Sequence, residues 1–223
     1  MVQARIPMQI PDQFPLFPLT GAVLMPFGHL PLNIFEPRYL NMIDDALGNE
    51  RMIGMIQPRK AKGDLVPDDA GLYEIGTLGR IIQFSDPGDG RYLITLEGMT
   101  RFRIKTIHAP DPNRGYRRAE ADLTPYDHDL SPIEHDDGPG RDRLLDLMQS
   151  YFGNKDIEAD WDAVSSAPYE ALVASLAMSC PFVPEEKQAL LECDSHADRA
   201  AMLISLFEMS TADLGAETGA LKH

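Results

Sequence analysis

The sequence predicts an α+β protein, with a β-rich N-terminal part that carries one inserted helix and an all-α C-terminal part. Two hydrophobic periods predict this division. Between residues 72 and 107 apolar residues alternate with polar ones, a period of two that is typical of antiparallel strands. After residue 140 the spacing changes to that of helices, as in Leu144, Leu147, Met148 and Tyr151.

The N-terminal part begins with a proline-punctuated apolar stretch, residues 14–39. Because proline is tolerated mainly at strand starts, edges and turns, this stretch predicts two short strands, around Leu16–Leu19 and Leu32–Phe35, joined by an apolar loop. A helix follows, because Pro37 suits a first helical turn. Its predicted core-facing stripe is Leu40, Ile43 and Leu47.

Short strands account for much of the chain between this helix and residue 123. Met52–Gln57 reads as a buried strand, and Leu78–Phe84 and Tyr92–Leu96 flank a glycine-containing hairpin connection. Gly98-Met99 predicts a second reversal of the chain. The following strand, 101–106, alternates basic with apolar residues, which predicts one face in the core and one in water. Residues 117–123 predict one more strand.

An acidic segment then separates the strands from the helices. Residues 120–137 hold seven acids and no Lys or Arg, and prolines and glycines follow one another closely, as in a solvated linker. Four helices are predicted beyond it, the last beginning at a capping-box-like Ser195 and Asp198. The predicted division is a β-domain over 1–123, an acidic linker over 124–140, a helical bundle over 141–210 and a flexible tail over 211–223.

Charge and composition narrow the class of function. The 223 residues include 35 acids and 20 bases, a formal net charge of −15, and phosphate-binding proteins depend on Lys and Arg instead. Two cysteines cannot form a disulfide framework or a four-thiolate zinc site. Residues 1–18 lack the apolar core of a signal peptide, and no apolar run approaches the ~20 residues that cross a bilayer. These observations predict a soluble cytoplasmic protein.

The motifs of common enzymes are missing from the sequence. It contains no phosphate-binding loop, no Gly-x-Gly-x-x-Gly opening a helix and no Gly-x-Ser-x-Gly elbow, so we predict no enzymatic activity and no cofactor. His and carboxylates do cluster at 127–129 and 134–137. Their spacing fits no metal-ligand motif, so the acidic linker is the favoured interpretation.

Two further groups of residues are candidates for function or stability. The apolar loop presents a candidate peptide-binding set, Leu24, Met25, Phe27 and Leu30. Charged residues inside otherwise apolar segments form a candidate set of structural polar residues, Glu36, Arg80, Glu97 and Arg101. A third feature is the basic patch Arg101–Arg118, with six bases and one acid, which a small anion or RNA could use.

Several blocks of the sequence, taken in order, resemble the N-terminal domain of Lon proteases in its stand-alone bacterial form. They are FPLFPLTGAVLMPFGHLPLNIFEPRY, YEIGTLGRIIQ and DGRYLITLEGMTRFRI, followed by the helical LAMSCPFVPEEKQALLECDSHADRAAMLISLFEMS. The resemblance implies a PUA-like β-barrel with an embedded helix, followed by a helical bundle. It also implies a role in substrate recognition and offers no catalytic residues, because the chain ends near the point where the Lon ATPase module would continue.

The sequence and the resemblance together predict a non-enzymatic module that binds exposed apolar segments of other polypeptides, with no membrane contact. The first alternative is an RNA- or nucleotide-binding PUA-like module that uses the basic patch. The second is an enzyme acting on a small ligand. Added salt separates the first two, because phosphate binding weakens steeply with salt whereas apolar binding does not.

Overall fold

A computed structural model describes residues 10–60, 66–131, 140–154 and 157–220, without the side chains of 154 and 211–220. The chain divides into two compact units, Met1–Leu130 and Ser131–His223. Over the described residues, the first unit contains the β-strands and one α-helix, and the second contains helices alone. The α+β class predicted from the sequence is confirmed.

The first unit alternates short elements with one long strand. Its elements, in chain order, are β1 (Gln13–Pro18), β2 (His29–Ile34), α1 (Pro37–Leu47), β3 (Met52–Ile56), β4 (Ile75–Ser85), β5 (Tyr92–His108), β6 (Arg118–Asp122) and a 3₁₀ segment (Thr124–Leu130).

Five of these strands close a barrel. The order along the sheet is β2-β5-β4-β3-β1-β6, and β6 also pairs with β5, so that β5, β4, β3, β1 and β6 form a ring. The pair β1–β3 is parallel and the others are antiparallel. β2 lies outside the ring and pairs with the first half of β5, Tyr92–Glu97.

Aromatic rings packed on glycines fill the barrel. Phe14 on β1 and Phe102 on β5 meet edge to face with ring centroids 5.0 Å apart, and both are buried. A Cβ on Gly54 would come within 2.6 Å of the Phe14 ring, and one on Gly76 within 2.7 Å of the Phe102 ring. The glycines of these strands therefore make space for large side chains.

β5 corrects one sequence prediction. Gly98-Met99 was expected to reverse the chain, but β5 runs unbroken for 17 residues, from Tyr92 to His108. The register against β4 shifts at this point, from Leu78 opposite Thr100 to Gly79 opposite Gly98, so Met99 is the extra residue of a bulge. A Cβ on Gly98 would overlap the Met25 carbonyl oxygen. Glycine is needed here for close backbone approach.

The acidic segment also differs from its prediction. Thr124–Leu130, expected to belong to a solvated linker, forms the 3₁₀ segment of the first unit and buries Tyr126 and Asp129. Residues 132–139, the rest of that predicted linker apart from Ser131 and Gly140, lie outside the described residues.

The inserted helix α1 is where the sequence places it, but its buried face is rotated by about one residue. The buried side chains are Tyr39, Met42, Ile43 and Ala46, whereas Leu40 and Leu47 of the predicted stripe are half-buried. The aromatic ring of Tyr39 packs on Phe17 of β1, with centroids 4.6 Å apart, and this contact sets the rotation.

The second unit is all helical over its described residues, as predicted. Its elements are α2 (Arg141–Asn154), α3 (Trp161–Ser166), α4 (Tyr169–Ser179), α5 (Pro184–Glu192) and α6 (His196–Ala220). The predicted core stripe of α2 is buried, and its Tyr151 packs on Phe207 of α6 with centroids 4.9 Å apart. Ser195 caps α6 by accepting from the Asp198 N–H at 3.1 Å.

Two boundaries in the helical unit differ from the predictions. α3 was not predicted; it begins where the Asp160 carboxylate accepts from the Ala163 N–H at 3.0 Å. The predicted tail, 211–223, is helical as far as Ala220, because α6 continues through it. Over the described ranges, no helix has both the length and the apolar character needed to cross a membrane.

We predict that Gly98→Ala destabilises the first unit by about 1–3 kcal/mol or more, because the new methyl group would collide with the main chain at Met25. Urea denaturation monitored by far-ultraviolet circular dichroism measures the change. Gly71→Ala is the matched control, since nothing lies within 4 Å of a Cβ built there. Equal stabilities for the two variants would contradict the close-approach explanation.

Candidate functional site

An apolar groove of about 330 Å³ opens on the surface of the first unit. It lies between the end of β1, the end of β2 and the start of α1. Its lining is predominantly hydrophobic and consists of Phe17, Leu19, Thr20, Leu32, Asn33, Ile34, Phe35, Glu36 and Tyr39. Its volume lies at the lower end of the range found for ligand pockets.

The first turn of α1 forms one wall of the groove. Pro37 occupies the first position of the helix, where its missing N–H costs nothing. Tyr39 follows, and burial raises the pKa of its phenol to about 12, so this ring is uncharged at neutral pH. The guanidinium of Arg38 lies 4.5 Å from the centroid of the Tyr39 ring.

Arg38 ties this wall to the neighbouring loop. Its side chain pairs with the carboxylates of Glu36, at 2.8 Å, and Asp68, and donates to the Val66 carbonyl oxygen at 2.8 Å. These contacts fix the turn between β2 and α1. The turn beside the groove is therefore held by side-chain contacts as well as by the main chain.

Phe35 is the exposed aromatic residue of the groove, with 62% of its surface accessible. Because Phe35 adjoins the apolar lining, it makes the apolar surface at this place larger and continuous, and contiguous apolar patches are a feature of binding surfaces. Thr20 lines the other side. Its hydroxyl oxygen is buried and has no hydrogen-bond partner among the described residues.

The predicted peptide-binding set is divided by the structure. Leu24 and Met25 are buried in the core, because Leu24 fills the space above Gly79 and Gly98. Their assignment to an exposed surface is therefore wrong. Phe27 is 45% exposed, in a turn with φ of 60°, and Leu30 on β2 is half-buried. Neither Phe27 nor Leu30 lines the groove. The groove itself was not predicted from the sequence.

The comparisons with known proteins agree with this architecture. The family described as the ATP-dependent protease La (LON) substrate-binding domain matches residues 13–208. The chain belongs to this family. The recognition made from the sequence blocks is thereby confirmed, and residues 13–208 include the strands of the first unit and helices of both units.

Individual relatives of this LON domain are much longer proteins. It is 28% identical over 204 residues to Lon protease 2 of Myxococcus xanthus, covering 88% of this chain and 24% of that protein. It is 34% identical over 115 residues to Lon protease 2 of Sorangium cellulosum (strain So ce56), covering 51% of this chain and 14% of that one. The chain therefore spans only a small part of the length of these relatives.

Two solved structures share the fold of this LON domain. The Lon N-terminal domain protein from Xanthomonas campestris matches with a TM-score of 0.58 and 22% identity, over 86% of this chain and 97% of that one. The N-terminal domain of the Mycobacterium avium complex Lon protease matches with a TM-score of 0.61 and 16% identity, over 88% and 98%. The PUA-like barrel followed by helices, expected from the resemblance, is confirmed as the Lon N-terminal fold.

The four predicted structural polar residues of this LON domain have different surroundings. Arg101 is buried, as expected. Glu36 is half-buried and pairs with Arg38. Arg80 is exposed and lies opposite Glu97 in the register of β4 and β5, and nearly half of the Glu97 side chain is exposed. Glu97, predicted as a structural polar residue, should therefore contribute little to stability.

The partner of Arg101 is Asp129, which sequence reasoning missed. The Arg101 main-chain N–H and Nε both donate to Asp129 Oδ2 at 2.9 Å, and Nη2 donates to Oδ1 at 2.9 Å. The guanidinium also stacks on Tyr126, 4.7 Å from the ring centroid. The signal in the sequence was one Tyr and one Leu within an otherwise polar run, which indicates a partly buried segment.

Burial works to raise the pKa of the Asp129 carboxyl, but the hydrogen bonds and charge of Arg101 outweigh it, and the pKa is lowered from its usual value. The carboxylate is therefore ionised at neutral pH. The paired charges satisfy each other inside the barrel wall and attach the 3₁₀ segment to β5.

The basic patch Arg101–Arg118 is largely engaged within the LON domain. Arg101 pairs with Asp129, and Arg114 pairs with Asp45 at 3.1 Å. The remaining contacts join Arg117 and Arg118 to the main-chain carbonyl oxygens of Ala70 and Gln13, and bring Lys105 within 3.9 Å of Asp122. These contacts engage five of the six basic residues of the patch with acids or carbonyl oxygens, and the sixth, Arg103, is exposed.

The cluster of His and carboxylates shows no metal-binding geometry in its described part. Asp127 and His128 are exposed, and Asp129 is committed to Arg101. Across the part of the chain that the structure describes, no group of three or more His, Cys, Asp or Glu side chains could hold a metal ion. Residues 134–137 lie outside the described residues.

We predict that Asp129→Asn lowers the free energy of unfolding by roughly 3–5 kcal/mol at pH 7, because it leaves the buried Arg101 charge uncompensated. The lowered pKa of Asp129 sets the pH dependence. The carboxylate contributes stability above the unfolded-state pKa of about 3.9, and this contribution is lost as the pH falls through the lower folded-state pKa.

The difference between wild type and Asp129→Asn should therefore narrow below about pH 4. Urea titrations at pH 7 and in acid measure both values. Glu97→Gln is the control, since the half-exposed Glu97 should change stability little. A difference that stays constant into acid would show that the charge of Asp129 is not responsible.

Proposed function

We propose that this LON substrate-binding domain is a non-enzymatic module that binds exposed apolar segments of other polypeptides. The observation that supports the proposal is the apolar groove with Phe35 at its surface. The groove has room for a large apolar side chain, and the charge that Glu36 brings to its lining is paired with Arg38. We further propose that Phe27, exposed at the other end of β2, extends the contact surface.

The expected affinity is weak. A contact of a few hundred Å² yields about 25 cal/mol per Å², and most of this is offset by the entropy lost on association. Dissociation constants of about 1 μM or weaker follow. Weak, sequence-tolerant binding suits a domain whose partners share only exposed apolar residues.

No catalytic chemistry is proposed for this chain. The family match concerns the substrate-binding domain, and the sequence carries no phosphate-binding loop or nucleophile elbow. We expect neither nucleotide hydrolysis nor peptidase activity. We also propose that this chain is located in the cytoplasm. The contacts of the basic patch do not favour the RNA-binding alternative.

We predict that Phe35→Asp weakens binding of an unfolded polypeptide by about tenfold or more, because it removes an aromatic contact that binding would bury. Reduced and alkylated ribonuclease A, titrated by fluorescence anisotropy, is the probe. Ile107→Asp is the matched control, since Ile107 is 41% exposed on the second half of β5 and does not line the groove.

Binding should persist at about 0.5 M salt, because apolar burial is little screened while charge contacts are. A folded Phe35→Asp variant that binds like wild type would contradict the proposed groove. Binding of RNA that disappears as salt rises, without polypeptide binding, would favour the alternative function.

A further inference from the structure

β2 has a free edge. It lies at one end of the strand order and, among the described strands, pairs with β5 alone. The closed ring of the other five strands has no edge, so the main chain of β2 is where this sheet can accept another strand.

The alternation of hydrogen bonds along β2 identifies which of its main-chain groups point outward. The Gly98 N–H donates to the Gly28 carbonyl oxygen at 2.8 Å, one step before the register pair His29 and Glu97. Because such bonds alternate along an antiparallel ladder, Leu30, Leu32 and Ile34 bond to β5. The main-chain groups of the intervening residues, His29, Pro31 and Asn33, therefore point away from the sheet.

The position of Pro31 agrees with this alternation. Pro31 has no N–H to donate, and proline is found on edge strands with its nitrogen facing outward. Within the described part of the chain, no hydrogen bond reaches the outward N–H groups of His29 and Asn33 or the three outward carbonyls. Two donors and three acceptors are thus available along the edge.

The apolar groove begins at the same stretch of chain. Leu32 and Asn33 lie at the end of β2, and Phe35 follows the strand directly. All three residues also line the groove. Thr20, whose buried hydroxyl lacks a partner among the described residues, lies on the other side. A strand added to β2 would gain main-chain hydrogen bonds from the edge and a side-chain pocket from the groove.

We propose that an extended apolar segment of another polypeptide adds to the free edge of β2 as a further strand and places one large side chain in the groove. This inference rests on the proposed function and specifies how binding occurs. The main-chain bonds supply an attraction that does not depend on the sequence of the partner, and the groove selects apolar residues.

A second copy of this chain fits the edge less well. Two β2 edges paired antiparallel about a two-fold axis, in the register that sets His29 opposite Asn33, would set Pro31 opposite Pro31, where neither residue can donate. Two hydrogen bonds are then lost at the centre of a short pairing, whereas a partner strand without proline loses one. Proline on an edge is a known protection against self-pairing.

The experiment uses the full chain and a fluorescein-labelled peptide, KTLTFTLTK, whose terminal lysines suit a protein of net charge −15. Fluorescence anisotropy gives the affinity. Asn33→Pro removes one outward N–H and should weaken binding about fivefold, the effect of one hydrogen bond. Asn33→Ala, which keeps that N–H but also loses the amide side chain that lines the groove, is the matched reference, and Asn33→Pro should bind about fivefold more weakly than Asn33→Ala.

Two further measurements do not depend on the folding of Asn33→Pro. Pro31→Val adds an outward N–H and should strengthen binding about fivefold. A peptide methylated on alternate main-chain nitrogens should bind wild type at least about fivefold more weakly when the methylated set faces β2, and equally well when the other set is methylated.

The outcomes separate the two proposals. If wild type does not bind the peptide or unfolded ribonuclease A, the proposed function fails and the edge inference fails with it. Suppose instead that Phe35→Asp abolishes binding, but that Pro31→Val and both methylated peptides give the same affinity as wild type with the unmethylated peptide. The proposed function then stands and strand addition is wrong. Sedimentation equilibrium tests self-pairing. A wild-type dimer that is lost in Asn33→Pro but persists when the peptide is added would assign the edge to a second copy.

Discussion

The bend of β5 at Gly98 and Met99 determines the architecture of the barrel unit. β5 pairs with β4 along most of its length, but its first half also pairs with β2 and its second half with β6. The bulge lets one strand change neighbours without breaking. Because β6 closes the ring and β2 does not, β2 keeps a free edge.

The glycines at this bend connect the barrel core with the loop that precedes β2. Leu24 lies within 2.7 Å of where a Cβ on Gly79 would stand, and the Met25 carbonyl oxygen approaches Gly98 even more closely. The Phe27 N–H then donates to the Gly98 carbonyl oxygen at 2.8 Å, which starts the pairing of β2 with β5. The apolar residues of this loop thus serve to hold β2 in place.

The local patterns of the sequence predicted most elements, whereas the main errors concern tertiary contacts. Glycine marks both turns and close approach, and only the position of Met25 decides between them at Gly98. Leu24 and Met25 appeared exposed because loops usually lie on the surface, and the space that they fill is formed by residues more than 50 positions later in the chain. The burial of Asp129 was not predicted, because neighbouring acids in the same segment are exposed. Composition cannot show which of these acids pairs with a buried arginine 28 positions earlier.

The groove escaped prediction for a related reason. Its lining comes from three segments, the end of β1, the end of β2 and the start of α1, and each segment alone reads as ordinary core. Phe35 is the exception. A period of two along β2 predicts that its side chain lies on the same, outer face as those of His29, Pro31 and Asn33. One face of β2 therefore carries polar residues and a proline, and ends in an exposed aromatic side chain. Phe35 thereby places apolar surface beside the outward main-chain groups of β2, so the two features that the proposed strand addition requires lie next to each other.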